Sequence, residues 1–102
     1  MSAPEPIGPE LVVRHRVPER RFEVTVDGFV AVVDYEWEGE TVVFTHTFVP
    51  PELRGRRIAE QLVRAGLAWA ASEQRRVVPA CSYVDAFIHK NSEFQPLLRT
   101  NR

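Results

Sequence analysis

The chain changes its hydrophobic period once, and it does so at a double proline. From Leu11 to Val49 apolar residues recur at every second position, whereas from Ile58 onward they recur at every third or fourth. Between the two regimes stand Pro50 and Pro51, followed by Arg54, Gly55, Arg56 and Arg57. Prolines carry no N–H and end strand pairing, so strands must come first, a helix second, and a cationic turn must join them. That order limits the chain to α+β architectures.

The strand half divides at its turns. "RFEVTVDGF" sets Phe22, Val24 and Val26 on one face and then reaches Asp27-Gly28, a pair suited to a tight hairpin. "FVAVVDYEW" continues, more apolar on both faces, as the interior of a sheet requires. "EGE" is the next turn and "TVVFTHTFV" the strand after it. Connections this short imply an antiparallel meander of three or four strands. After the arginines, Ile58, Leu62, Ala65, Gly66 and Trp69 form a helical stripe that ends near Gln74. "RRVVPA" then supplies a short buried strand. Parallel pairing with the strand before the helix completes a right-handed β-α-β crossover. Ser82 to about Asn91 is a second helix, with Val84, Phe87 and Ile88 inward and Ser82 as its N-cap. Trp37 and Trp69 belong to the sheet and helix core.

Composition excludes several functions. Residues 1–10 ("MSAPEPIGPE") have the proline, glycine and glutamate content of a flexible leader, and residues 11–102 the length of a single domain. No segment is apolar enough to span a membrane, and the leader lacks a signal peptide's basic start and apolar centre. One cysteine rules out an intrachain disulfide and suits a cytoplasmic, reducing environment. The net charge of −1 argues against a dedicated duplex-DNA binder, whose domain is usually strongly basic, and no nucleic-acid partner is expected. His15, His46 and His89 show no metal-ligand spacing, so no metal is expected.

The cationic turn suits an anion. A helix start exposes unpaired N–H groups and a partial positive charge, Gly55 permits close backbone approach, and Ala59 keeps the first turn small. A Walker loop is excluded by the missing Lys-Ser/Thr pair, and a dinucleotide fingerprint by too few glycines. From the turn alone, solvated arginines, a nucleic-acid backbone and a nucleotide phosphate all remain open.

Three blocks in order narrow that choice: "HTFVP", then "RGRRIA", then "PACSYV". They resemble the GNAT acyl-CoA N-acetyltransferases, and more specifically a small single-domain GNAT-like group, over roughly residues 20–98. The resemblance implies a GNAT-like fold. It also implies acetyl-CoA with its pyrophosphate on the N–H groups of Gly55, Arg56, Arg57, Ile58 and Ala59, and with Arg54 adding charge. Pantetheine would lie along Phe48 and Val49, in a gap opened before the prolines. Two departures stand out: Arg57 occupies the inner glycine position of the signature, and Phe48 stands where many relatives have glutamate.

The resemblance implies N-acetylation of a small amine or a protein amino group. His46, at the strand end, is the candidate general base, because an imidazole titrates near neutral pH. Cys81, at the start of the second helix, is either an acyl-accepting nucleophile or part of the acceptor site. Tyr83 is the candidate proton donor to the leaving thiolate. The competing expectation is a non-catalytic CoA-binding module, favoured by Phe48 and Arg57.

Overall fold

The structure, a computed structural model, describes residues 11–99. The expected leader, residues 1–10, and residues 100–102 lie outside that range. Four antiparallel strands form a meander: β1 (Arg14–Arg16), β2 (Arg21–Val26), β3 (Phe29–Glu38) and β4 (Thr41–Phe48). Helix α1 (Ile58–Ser72) follows, then β5 (Val77–Pro79), then helix α2 (Ser82–Lys90). Strand order is β1-β2-β3-β4-β5, and β5 lies parallel to β4, as the crossover predicts.

Local chemistry accounts for the turns. Asp27 and Gly28 both have positive φ, 52° and 82°, and join Val26 to Phe29 as a two-residue hairpin loop. The short β4–α1 link holds a single 3₁₀ turn, Pro51–Leu53, whose Leu53 side chain is buried with Ile58.

One face of the sheet carries the core. Phe22, Val24, Val33, Tyr35, Val42 and Phe44 are buried there beneath α1, which contributes Leu62, Val63 and Leu67. Helix α1 sits close because Gly66 has no side chain: a Cβ there would stand 3.0 Å from Phe44 Cε1. Helix α2 seals the far end with Val84, Phe87 and Ile88, the inward residues predicted. A second 3₁₀ turn, Ser92–Leu97, buries Phe94, and Leu98 bridges to Val77 beside β5. The two tryptophans correct their expectation in part. Trp69 packs against the core, but Trp37 lies at the sheet's end, 41% exposed, between Trp69 and the Arg75 guanidinium.

Candidate functional site

The strand before the prolines does two things that its sequence pattern hides. First, it parts from β5. Pairing is confined to Val42, Val43 and Phe44 against Val77, Val78 and Pro79, and the Cys81 N–H closes it by donating to Phe44 O at 2.9 Å. Beyond that point β4 is paired with β3 alone, as far as Phe48 opposite Val32. The gap expected before the prolines therefore opens earlier, at Phe44.

Second, β4 carries a bulge. The register steps from Tyr35↔Phe44 to Asp34↔His46, which leaves Thr45 as an extra residue. Strict alternation would put Val42, Phe44 and His46 on one face. The bulge instead turns His46 to the face opposite α1 and turns Thr47 toward the core side, opposite Val33. At the fork Thr47 Oγ1 lies 3.4 Å from Cys81 Sγ.

Cys81 itself, and not Ser82, is the N-cap of α2. Its extended backbone (φ −84°, ψ 131°) carries the chain out of β5, so the cap position falls one residue earlier than a serine-based choice predicts. Burial pushes the Cys81 thiol up. The Thr47 hydroxyl and the backbone N–H groups of Val84, Tyr83 and Thr47 outweigh it and leave the thiol below its ordinary value. The sulfur closes no cap hydrogen bond, so the helix amides act on it mainly as dipoles.

The cationic turn lies at the start of α1. Arg57 is the N-cap, in left-handed conformation at φ 63°, and Gly55 has φ 85°. Glycine would hold that conformation at position 57 without a Cβ penalty. The first intrahelical bond runs from Gln61 N–H to Arg57 O at 3.2 Å, so the N–H groups of Ile58, Ala59 and Glu60 precede it. A Cβ at Gly55 would meet nothing within 4 Å, so space is open beside the turn. Arg54 donates from Nε to Val49 O at 2.9 Å, which ties the turn to the end of β4. Arg56 lies 4.0 Å from Asp27, and all three arginines are exposed.

The predicted residues therefore fall into separate groups. Cys81 and Thr47 meet in the fork. Phe48 is 44% exposed on the face opposite α1, and Val49 packs against the core edge. His46 shares that opposite face with Asp34, its Nδ1 3.4 Å from Asp34 Oδ2, and it makes no hydrogen bond to Cys81. Tyr83 faces an open groove of about 280 Å³ between α1 and α2, which Glu60, Phe87, Lys90 and Asn91 also line. Burial, then the Glu60 charge, raises the Tyr83 phenol above its ordinary value. Thr47, Asp34 and Glu60 escape sequence analysis. Only Asp34 leaves a trace, as the one acid within the apolar run "FVAVVDY". Among the described residues no three His, Cys, Asp or Glu side chains are grouped to hold a metal ion.

This forked sheet, with a helix N-terminus beside the fork, has relatives. Residues 21–97 match the family described as GCN5-related N-acetyl-transferase. The chain belongs to that family. Protein NATD1 of Danio rerio is 34% identical over 96 residues, covering 91% of this chain and 87% of the relative. The Bos taurus protein of the same name is 37% identical over 93 residues, covering 88% and 81%. Among solved structures, a GCN5-like protein from Staphylococcus aureus superposes with a TM-score of 0.70 over 90% of this chain and 91% of its own. At 20% identity that likeness speaks for the GNAT fold alone.

Proposed function

We propose that the protein is an acetyl-CoA-dependent N-acetyltransferase acting on a small amine or a protein amino group. The observation that carries this reading is the fork between β4 and β5. It opens at Phe44, ends in the Thr47–Cys81 contact, and adjoins a helix start with free N–H groups and three exposed arginines.

The residues present fit the cofactor. The N–H groups of Ile58, Ala59 and Glu60, the open space at Gly55 and the charges of Arg54, Arg56 and Arg57 would hold its pyrophosphate. The side of β4 turned away from β3 at Phe48 and Val49, where Arg54 already holds the Val49 carbonyl, would run alongside its pantetheine arm. When bound, acetyl-CoA supplies a thioester carbonyl open to attack by a neutral amine. His46 Nε2 takes the proton from the amine. Tyr83 Oη, which stays protonated because its environment disfavours the phenolate, is the proton donor. The Thr47-supported thiol of Cys81 either borders the acetyl site or accepts the acyl group in a two-step route.

A non-catalytic CoA-binding module is the second reading, favoured by the separation of His46 from Cys81 on the two sides of β4. Calorimetric titration of acetyl-CoA, followed by turnover assays against a panel of amines, separates the two. Micromolar one-to-one binding with turnover supports the transferase, and binding without turnover supports the module. No binding rejects both.

A further inference from the structure

We infer that Asp34 is a positioning residue for His46, holding its imidazole as the Nδ1–H tautomer so that Nε2 is left free to accept a proton. The inference rests on the proposed role of His46 as the base. Its own observations come from three neighbouring strands.

Asp34 uses both carboxylate oxygens. Arg21, from β2, donates from Nε to Oδ1 at 2.8 Å, and His46, from β4, places Nδ1 3.4 Å from Oδ2. A carboxylate only accepts, so the Nδ1 facing it carries the hydrogen. The Asp34 side chain is 26% exposed and held by Arg21, while the His46 ring is 60% exposed. The fixed partner is thus the acid, and the far side of the ring is presented to solvent.

The backbone is arranged to make this pair. Without the Thr45 bulge His46 would share a face with Phe44, under α1. The bulge moves it opposite Asp34, and Thr45 Oγ1 donates to the Asp34 carbonyl at 3.4 Å, pinning the bulge to the same residue. Bulges are a common device for re-aiming one side chain. The next charge along that face of β3 is Glu36, which is occupied by Arg20 Nε at 3.0 Å. Among the contacts of the described residues, Asp34 from β3 is the charged group that meets the ring, and Arg21 from β2 holds it there. A tautomer set by a partner on the other nitrogen is a general means of defining an imidazole's role.

The test reads the tautomer and the rate separately. Long-range ¹H–¹⁵N correlation on the full chain should show wild-type His46 protonated at Nδ1. In Asp34→Ala it should move toward the Nε2–H form that free imidazole prefers, and Asp34→Glu should restore it. In acetyl-CoA turnover with the amine panel, Asp34→Ala should lower kcat about tenfold with the KM for acetyl-CoA unchanged. His46→Gln should cost more, and adding Asp34→Ala to it should cost nothing further. Wild-type His46 protonated at Nε2, or a tautomer indifferent to Asp34, overturns the inference even if no amine is acetylated. A tautomer that follows Asp34 while His46→Gln turns over normally rejects the base assignment instead, and leaves the Asp34–His46 contact standing.

Discussion

Arg57 is the residue where local strain and the cationic turn coincide. An L-residue in left-handed conformation costs roughly 1 kcal/mol that glycine avoids. No side-chain cap bond at Arg57 offsets that cost. Arg57→Gly should therefore stabilise the fold by up to about 1 kcal/mol, or a few degrees in Tm, as thermal unfolding would show. Cys81 offers a second test at this scale. Its thiol lies below the ordinary value because the Thr47 hydroxyl and the backbone amides at the start of α2 together outweigh burial, and the Thr47 hydroxyl is the largest of the lowering influences. Replacing Thr47 with valine should shift the pH dependence of Cys81 alkylation upward. An unchanged alkylation profile would remove Thr47 from that role.

At the scale of elements, the seat of α1 on the sheet depends on Gly66. Alanine in place of glycine normally favours a helix by about 1 kcal/mol. Here the added methyl would stand 3.0 Å and 3.2 Å from two atoms of the Phe44 ring, which is itself buried in the core. Overpacking of this kind costs about 1–3 kcal/mol, so Gly66→Ala should leave a net loss in a urea titration. Phe44 lies where β4 leaves β5, so a displaced ring would also disturb the fork. The existence and order of the strands and helices were legible in the sequence because period and turn chemistry are local properties. The bulge at Thr45 was not, since "TVVFTHTFV" alternates plausibly with or without it and only pairing with β3 reveals the extra residue.

For the molecule as a whole, the aromatic cluster around His15 makes stability depend on pH. His15 stacks on Phe22 at a centroid distance of 4.1 Å, meets the Trp69 edge at 4.7 Å, and lies 2.7 Å from Tyr35 Oη. Burial lowers its affinity for a proton below that of an unfolded-chain histidine, near 6.5. The unfolded state therefore binds more protons as the solution is acidified. The stabilisation is fully present above about pH 6.5 and is lost as pH falls below it. Tm measured between pH 8 and pH 5 should drop, and His15→Phe should flatten that part of the profile. A wild-type Tm that does not fall over this range would show that His15 protonation is not linked to folding.

The sequence by itself determined the strand-to-helix order, the turns at Asp27-Gly28 and Glu38–Glu40, the inward face of α2 and the family. All of these rest on near neighbours in the chain or on short residue patterns. Tertiary structure alone decided that His46 faces Asp34, that Thr47 meets Cys81 across 34 positions of chain, and that Tyr83 shares a groove with Glu60. Those contacts depend on strand register and helix seating. A one-residue slip in register sends a side chain to the other face of a sheet, and a single bulge does so with no signature in composition or period.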